Sequence, residues 1–555
     1  MCKCALAEAL FPGGKTPEEL ELAYPERGLP EGAAVTRFSP SPTGFLHLGG
    51  LFGALTDATL AQNTGGVFYV RVEDTDKKRE IADGVRGLLD GLAAYGLLPE
   101  EGVVGVGREA GKYGPYTQSK RIEIYHAYAK RLVEQGIAYP CFCTEERLSA
   151  LRAEQEQTNV NTGYYGTWAC CRDLPAQEQL RRLQAGEPYT LRLRSPGVEG
   201  RKITVQDQIK GKLELPENIM DVVLLKTNGV PTYHFAHAVD DHLMRTTHVI
   251  RGDEWVASLP LHIQLFGVLG FRAPKYCHTP TLMKEENGGK RKISKRKDPE
   301  AATSWFWEQG YPPEAVLEYL MTLMNSDFEA WRRAGPDAPL AAFPFRLQRM
   351  SVSGALFDVA KLTDVSKNVI ARMSAAQSYA GLLGWANTYD PAWAALLTRE
   401  EAFAAAMLDI DRGGKKPRKD LARWNEAKTA YQYFFDALHD PAFQLPAHIA
   451  AADAEAILRA YAPLYDPEDD KDAWFGKIRG ICAGLGFCPD VKLFKTDPSA
   501  WKGHVGDASG VIRLAVTGRE NTPDLCAVMR LLGGERVRQR LQGAMLQMAG
   551  KERGA

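Results

Sequence analysis

The chain has 555 residues, and its 68 basic and 69 acidic side chains give a formal net charge of −1. This length exceeds one hydrophobic core and predicts two to four domains, while the balanced charge excludes a globally basic nucleic-acid-binding protein. No apolar run reaches the ~20 residues that cross a membrane, and ten cysteines are too few for a disulfide scaffold, which predicts a reduced, cytoplasmic protein.

Residues 1–32 precede the first predicted strand and contain no signal-peptide core of useful length. A short apolar strand then ends near Phe38, and a helical pattern over 51–60 stops at the glycine pair 65–66. The run 67–72 has the composition of a strand buried in a parallel sheet. Strand, loop, helix and strand form half of a mononucleotide-binding α/β unit, whose ligands lie beyond the carboxyl ends of the strands.

The loop before this helix carries His47-Leu48-Gly49-Gly50. Gly49 and Gly50 let a nucleotide lie against the backbone, and a helix N-terminus offers free N–H groups to phosphates. His47 can donate a proton to a phosphate oxygen as charge develops there. An incidental Gly-rich turn is the alternative, but the preceding Pro40-Ser41-Pro42-Thr43-Gly44 favours the phosphate site.

A helical pattern runs from Ile122 to Gln135, and a cysteine-containing segment follows it. Cys141 and Cys143 are separated by one residue, and a further cysteine pair stands at 170–171. Such a set could hold a tetrahedral zinc ion. Reduced cysteines packed in an apolar corner are the alternative.

The segment 285–297 is glycine-containing and strongly basic, and it includes Lys292-Ile293-Ser294-Lys295-Arg296. We expect a flexible loop there, because lysine is a mobile point charge that can neutralise ATP phosphates as such a loop closes. A solvated basic patch or a nuclear-targeting run is the alternative. The apolar residue and the serine between the lysines favour the catalytic loop.

The carboxyl-terminal third has a helical pattern. Residues 400–438 are rich in Ala, Leu, Lys and Glu without strand alternation. The run 522–533 begins with an N-cap residue and a first-turn proline and ends on glycine. The basic runs 290–297 and 415–419 are candidate local RNA-binding surfaces.

The two motifs 47–50 and 292–296, in this order, resemble the paired ATP-handling motifs of class I aminoacyl-tRNA synthetases, and their contexts resemble glutamyl-tRNA synthetase. The resemblance covers nearly the whole chain from about residue 7. It implies an α/β fold: a Rossmann-type parallel-sheet catalytic domain with an inserted acceptor-binding domain and a C-terminal α-helical anticodon-binding region. The implied domains are an N-terminal extension (1–32), the catalytic domain (33–125 and 226–345), the insertion (126–225), a junction domain (346–400) and helical anticodon-binding domains (401–555).

The resemblance further implies an activity. Glutamate would be activated with ATP and Mg²⁺ to glutamyl-adenylate and transferred to the 3′ end of tRNA(Glu), with tRNA(Gln) left open as a second acceptor. The expected partners are therefore tRNA and L-glutamate, and we expect a monomer without membrane attachment.

Site residues follow by resemblance, residue by residue. The catalytic residues would be His47, Lys292 and Lys295. ATP would be bound by Ser41, Thr43, His47, Gly49, Gly50, Glu254, Leu282, Met283, Lys292, Ser294 and Lys295. Glutamate would be bound by Arg37, Ser39, Ser41, Glu73, Tyr233, His237 and Arg251.

The chain departs from the family pattern at one glutamate-binding position and in the spacing of the zinc candidates. His237 stands where many relatives carry asparagine, and it could change the charge of the pocket near neutral pH. Zinc would be held by Cys141, Cys143, Tyr165 and Cys171, with Cys170 as the alternative to Cys171. Two extra residues lie between Tyr165 and the cysteine pair, relative to the zinc-binding members.

Other functions stay open at this point. Glutaminyl-tRNA synthetase is the nearest alternative, but it usually lacks an arginine where Arg251 stands and reads the anticodon with β-barrels. A catalytically inactive, tRNA-binding relative would not need His47 and the lysines of 292–296 together. A nucleotidylyltransferase would have no use for the segment 502–513, which resembles an anticodon-end domain.

Overall fold

The computed structural model describes residues 3–42, 44–76, 83–414, 417–442 and 444–552. Residues 549–552 are described as backbone only. Thr43 and the first two residues of the basic run 415–419 therefore lie outside the described residues. The chain divides into two compact units, Met1–Trp305 with Leu317–Asp358, and Phe306–Val316 with Val359–Ala555.

The helices up to residue 334 are α1 Lys3–Leu10, α2 Pro17–Ala23, α3 Leu48–Asn63, α4 Gly84–Ala94, α5 Ile122–Gln135, α6 Glu145–Gln157, α7 Ala176–Gln184, α8 Tyr233–Leu243, α9 Leu259–Leu269, α10 Thr303–Glu308, α11 Pro313–Met324 and α12 Phe328–Ala334. The strands are β1 Val35–Phe38, β2 Val67–Val70, β3 Glu101–Gly105, β4 Arg108–Ala110, β5 Ala138–Cys141, β6 Thr190–Leu193, β7 Lys202–Asp207, β8 Gly211–Pro216, β9 Val223–Leu225, β10 His248–Gly252, β11 Lys275–Thr279, β12 Leu282–Glu286, β13 Gly289–Lys292 and β14 Ala355–Leu356.

A parallel sheet organises the first unit. Strands β1, β2 and β3 pair in parallel, as do β10 and β11. The Val35 N–H donates to Thr247 Oγ1 at 2.8 Å, and the Thr247 N–H donates to the Val35 carbonyl at 3.0 Å. These bonds set the start of β10 beside β1, so that the sheet β4-β3-β2-β1, with β4 antiparallel at its edge, continues into the pair β10-β11. The predicted Rossmann-type sheet is confirmed, and the strand order reverses at β1, where such sheets bind their ligands.

The predicted first α/β unit is present at nearly the expected bounds. Helix α3 begins after His47, buries Leu51 and Leu55 against the sheet, and ends before the glycine pair. A Cβ on Gly66 would lie 1.9 Å from the Ala34 carbonyl oxygen. Because no side chain fits there, the glycine allows β2 to start directly alongside β1.

The region 126–225 contains its own antiparallel sheet. Strand β6 lies between β5 and β9, and β7 pairs with β8 as a separate hairpin. A small core under this sheet is formed by Tyr139, Cys141, Leu151, Tyr164, Ala169 and Cys171. Helix α5 before it has the bounds that the sequence predicted.

The basic segment 285–297 is more ordered than we predicted. Strands β12 and β13 pair as an antiparallel hairpin in which Glu286 faces Gly289. The two residues between them, Asn287 and Gly288, have φ values of 52° and 78°. Positive φ at both positions is typical of a type I′ turn, for which Asn-Gly is the favoured pair. The expected flexible loop is thus a hairpin as far as Lys292.

The second unit is helical in the part that the structure describes. Its helices from residue 359 onward are α13 Val359–Arg372, α14 Ala375–Tyr389, α15 Pro391–Arg399, α16 Glu401–Asp409, α17 Ala427–Tyr431, α18 Ala451–Tyr461, α19 Lys471–Leu485, α20 Val491–Phe494, α21 Val505–Thr517, α22 Leu525–Leu532 and α23 Gly534–Glu552. Their core includes Leu382, Trp393, Tyr433 and Ile512. The predicted helical third is confirmed.

Within residues 400–438 the α-helices are α16 and α17, and the described residues between them are mostly irregular, without a strand. One detail of the prediction is wrong. Helix α22 is capped by Asp524, whose carboxylate accepts from the Ala527 N–H at 3.0 Å, and not by Thr522. None of the described helices is long and apolar enough to cross a membrane.

Candidate active site

A cleft of about 750 Å³ lies at the carboxyl ends of β1, β10 and β11, beside the N-terminus of α3. This is the edge of the sheet at which the strand order reverses, so the cleft lies where the fold predicts a ligand. The predicted site residues that line it are Arg37, Ser39, Ser41, His47, Gly49, Gly50, Glu73, Tyr233, Arg251, Glu254, Leu282, Lys292 and Lys295. Met283, Ser294 and His237 do not line it, and Thr43 lies outside the described residues.

His47 is the N-cap residue of α3. Its Nδ1 accepts a hydrogen bond from the Gly50 N–H at 3.0 Å. Desolvation by the surrounding protein, together with the ammonium groups of Lys295 and Lys292, lowers the pKa of His47. The ring is therefore neutral at pH 7 with its hydrogen on Nε2, since Nδ1 is the acceptor. His47 can donate a hydrogen bond from Nε2 to a phosphate oxygen at the head of the helix.

The basic segment leaves two lysines for a ligand. Asp298 accepts two hydrogen bonds from Arg291, at 2.6 and 2.7 Å, and a third from the Ser294 N–H at 2.9 Å. These bonds fix the turn after β13 and neutralise Arg291. Within the described residues, neither Lys292 nor Lys295 has a carboxylate within 4.0 Å, so both charges remain available to an anion.

Buried ion pairs hold the floor of the cleft. Asp241 on α8 lies 3.2 Å from Arg37 Nε and 2.6 Å from Arg71 Nη1. Burial alone would raise the pKa of Asp241, but Arg37 and Arg71 hold it well below its usual range. The charge of Arg37 is therefore already compensated. Arg37 is a weaker candidate than Arg251 for pairing with the side-chain carboxylate of a substrate.

Glu73 lies just past the end of β2 and lines the same cleft. Arg71 Nη2 donates to Glu73 Oε1 at 3.3 Å. Burial raises the pKa of Glu73 to about 7, although Arg71 and Arg37 oppose the shift. Its carboxylate is thus only about half ionised at neutral pH in the absence of a cationic ligand.

Arg251 stands at the end of β10 and is 8% exposed. Its Nε donates to His278 Nε2 at 3.0 Å, and Nη1 donates to His262 Nδ1 at 2.9 Å. Its Cζ lies 4.8 Å from the ring centre of Tyr276 and 5.8 Å from that of Trp255. Within the described residues, Arg251 has no carboxylate within 4.0 Å. A charged, donor-rich group in a partly dry cleft is suited to bind a carboxylate.

Two predictions about this pocket need correction. His237 is fully buried behind the cleft wall, with Nδ1 2.7 Å from Asp241 and Nε2 3.1 Å from the Tyr276 hydroxyl. Burial lowers its pKa to about 4, so it carries no charge at neutral pH and does not change the charge of the pocket. Tyr233 covers it, with the two rings stacked and their centres 5.8 Å apart. Of the two residues, Tyr233 is the one that lines the cleft.

Lys226 and Asp57 also line the cleft and were not predicted from the sequence. Lys226 Nζ donates to the Thr75 carbonyl at 2.9 Å. Burial raises the pKa of Asp57 well above its usual range. Their signals were a lysine directly after the apolar strand β9 and a single acidic residue within an apolar helix.

The predicted cysteines come together in the inserted region. The thiols of Cys141, Cys143 and Cys171 all lie within 4.8 Å of one another, and Cys170 Sγ lies 3.4 Å from Cys143 Sγ. The Tyr164 hydroxyl lies 3.4 Å from Cys141 Sγ and 3.3 Å from Cys143 Sγ. Three thiols thus form a compact cluster, with the Tyr164 hydroxyl and the more exposed Cys170 thiol beside it.

The predicted tyrosine ligand is wrong. The Tyr165 hydroxyl donates instead to the Asn161 carbonyl at 2.8 Å and lies outside the thiol cluster. The hydroxyl of the adjacent Tyr164 lies beside the thiols instead and accepts a hydrogen bond from the Cys171 N–H at 3.0 Å. Consecutive extended residues point to opposite sides, so the side that faces the cysteines could not be read from the spacing.

Comparison with known proteins agrees with this geometry. The family model for the catalytic domain of class I tRNA synthetases (E and Q) matches residues 33–333, and an anticodon-binding-domain model matches residues 504–545. A glutamate–tRNA ligase of Clostridium perfringens is 47% identical over 541 residues, covering 97% of this chain and 99% of the relative. The chain belongs to the glutamate–tRNA ligase family. A second member, from Acetivibrio thermocellus, is 47% identical over 539 residues and covers 97% of this chain and 98% of the relative.

Solved structures of the family have the same fold. A glutamate tRNA ligase from Elizabethkingia meningosepticum, crystallised with its amino acid, superposes with a TM-score of 0.73 at 26% identity. The superposition covers 93% of this chain and 99% of the Elizabethkingia meningosepticum chain. The enzyme from Elizabethkingia anophelis gives 0.71 at 27% identity, covering 93% and 100%. The resemblance to glutamyl-tRNA synthetase is thereby confirmed over nearly the whole chain. The alternative, glutaminyl-tRNA synthetase, is not supported.

Proposed function

We propose that the chain activates L-glutamate with ATP to glutamyl-adenylate and transfers the glutamyl group to the 3′ end of tRNA(Glu). The observation that carries this proposal is Arg251, a buried cation whose hydrogen-bond partners are neutral. A glutamine side chain brings no charge and would not require such a group, whereas a glutamate carboxylate does. His47, Lys292 and Lys295 line the same cleft, and an inactive RNA-binding relative would not need them together.

The cleft residues divide between the two substrates. Glu73 pairs with the ammonium group of glutamate, while Tyr233 and Arg251 face its side chain. ATP enters as its magnesium complex and lies on Gly49 and Gly50, near Glu254 and Leu282.

In the first step the glutamate α-carboxylate attacks the α-phosphate and pyrophosphate leaves. His47 Nε2–H and the lysine ammonium groups stabilise the charge that develops on the phosphates, and positioning supplies much of the remaining acceleration. The terminal ribose hydroxyl of tRNA then attacks the mixed anhydride and releases AMP.

Aminoacylation of purified tRNA(Glu) and tRNA(Gln), each with glutamate and with glutamine, tests this proposal. We expect glutamate to be attached to tRNA(Glu) with release of AMP and pyrophosphate. If glutamate is also attached to tRNA(Gln), the enzyme does not discriminate between the two tRNAs; if it is not, the enzyme is specific for tRNA(Glu). A preparation that forms no glutamyl-tRNA, or that prefers glutamine, would overturn the assignment. We also propose that the protein is a monomer, which sedimentation of the purified protein tests, and that it is cytoplasmic, which fractionation of the source cells tests.

The raised pKa of Glu73 predicts that the kcat/KM for glutamate depends on pH. A pKa of about 7 means that the carboxylate which pairs with the substrate ammonium group is lost as pH falls through neutrality. The kcat/KM for glutamate should therefore decrease about tenfold per pH unit below 7, since this ratio reports the free enzyme. Glu73→Gln should abolish that inflection and lower kcat/KM at pH 8 by about ten- to a hundredfold. The KM for ATP is the control; an unchanged pH profile in Glu73→Gln would contradict the role.

The thiol cluster fits a structural zinc ion. Ligands about 2.3 Å from a tetrahedral zinc lie about 3.8 Å apart, and Cys143 Sγ lies 3.7 Å from Cys171 Sγ. We infer that Cys141, Cys143 and Cys171 hold the ion, with Cys170 or Tyr164 as the fourth ligand. The ion would cross-link β5 to the segment before α7 and take no part in catalysis.

Elemental analysis should find about one zinc per chain. Cys141→Ser combined with Cys143→Ser should remove it, while Cys4→Ser, outside the cluster, should not. Loss of zinc in Cys170→Ser but not in Tyr164→Phe would identify the fourth ligand as a thiolate, and the reverse would identify the phenol. Wild-type protein without zinc after purification in zinc-containing buffer would show that these are reduced core cysteines.

A further inference from the structure

The partners of Arg251 differ from those of the other buried arginines near the cleft. Arg37, Arg71 and Arg121 each have a carboxylate within 4.0 Å. Arg251 donates instead to two imidazole rings, those of His262 and His278. Its third nitrogen, Nη2, is buried and has no hydrogen-bond partner among the described residues.

The direction of these hydrogen bonds follows from the chemistry of the groups. A guanidinium can only donate, so His278 Nε2 and His262 Nδ1 must each offer a lone pair. The other nitrogen of each ring then carries the hydrogen. His278 Nδ1 donates to Asp207 Oδ2 at 2.7 Å, and His262 Nε2 donates to His234 Nδ1 at 2.8 Å. Both rings are therefore neutral and fixed in one tautomer.

Both rings are fixed by hydrogen bonds of the nitrogen that does not contact Arg251. The Asp207 carboxylate, at the end of β7, also accepts hydrogen bonds from the backbone N–H groups of Ile209 at 2.9 Å and Lys210 at 2.8 Å. His262 and His278 are fully buried. Burial lowers the pKa of both histidines, which agrees with the neutral tautomers that the hydrogen bonds require. The two rings thus orient the guanidinium without adding a charge.

We propose that His262 and His278 are positioning residues for glutamate specificity, which hold Arg251 with uncharged acceptors so that its full charge is available to the substrate. A carboxylate at either position would orient the guanidinium equally well but would neutralise it. It would also repel the side-chain carboxylate of glutamate, which glutamine lacks. This inference rests on the proposed function.

Three substitutions of similar size at position 262 separate charge from shape. His262→Asn keeps a neutral acceptor close to the place of Nδ1, His262→Leu removes the acceptor, and His262→Asp gives it a charge. The kcat/KM for glutamate and for glutamine is measured for each variant with saturating tRNA(Glu), and thermal melting checks the fold.

We expect His262→Asn to keep the wild-type preference for glutamate within about threefold. His262→Leu should raise the KM for glutamate about ten- to a hundredfold, which is the effect of losing a hydrogen bond to a charged group. His262→Asp should reduce the preference for glutamate over glutamine by at least as much. In each case KM should change more than kcat, because the contact exists in both the ground state and the transition state.

Equal losses for both amino acids in all three variants would overturn the inference, since a purely structural role predicts that result. An unchanged preference in His262→Asp would overturn it as well. If the His262 variants do not fold, His278→Gln and His278→Leu decide in the same way, because glutamine places an acceptor near Nε2. A wild-type enzyme that does not prefer glutamate would instead refute the proposed function.

Discussion

Replacing Lys295 by alanine lowers the kcat of glutamyl-adenylate formation by about 10²- to 10³-fold, the usual effect of removing one donor that stabilises transition-state charge. The ammonium group lines the cleft, has no carboxylate within 4.0 Å in the described part of the chain and lowers the pKa of His47. It is therefore placed to meet the charge that grows on the phosphates. The KM for glutamate should change less than about threefold, because that contact is made at the other end of the cleft.

Lys297→Ala is the matched control for this prediction. Lys297 lies on the same turn and is exposed, but it does not line the cleft. The measurement is single-turnover formation of the adenylate with tRNA bound. Equal losses in the two variants would mean that the turn acts through its overall charge, and an unchanged kcat in Lys295→Ala would remove this residue from the mechanism.

Arg251→Ala reduces the specificity constant for glutamate by roughly a hundred- to several-thousand-fold. An unmatched charge at a buried site typically costs on the order of 3–5 kcal/mol, and each 1.4 kcal/mol is tenfold. Glutamine brings no charge and should lose much less, so the preference between the two amino acids should narrow sharply. Arg37 cannot substitute fully, because Asp241 already pairs with it.

The measurement for Arg251→Ala is kcat/KM for each amino acid with cognate tRNA at saturation. Arg37→Ala is not a clean control, since it leaves Asp241 short of a partner. Arg27→Ala is a better one, because the ion pair that it breaks, between Arg27 and Glu101, lies away from the cleft. Equal losses for glutamate and glutamine in Arg251→Ala would show that Arg251 is structural.

The local features of this fold could be predicted from the sequence. Helix α3 begins at an N-cap residue and ends before glycines, so its place depends on a few neighbouring residues. The β12–β13 hairpin is equally local, and Asn287-Gly288 is the sequence signal for its turn.

The contacts behind the cleft were not predictable in this way. Arg251 meets His262 and His278, which lie 11 and 27 positions away on two other elements. A neutral histidine that accepts a hydrogen bond has no sequence signature, because its tautomer depends on partners that only the fold brings together. The same is true of Tyr164 and Tyr165, where side-chain direction decides which residue faces the thiols.

The pairing of Val35 with Thr247 has a consequence for the timing of folding. Their hydrogen bonds join residues 212 positions apart, which is a large loop to close and delays the step that forms the cleft. At about 5–20 residues per second, roughly 10–40 s pass on the ribosome between the synthesis of these two residues. During that interval β1 presents an open edge, and a nascent chain halted before β10 would carry α3 but not Arg251, so that only one side of the cleft would exist.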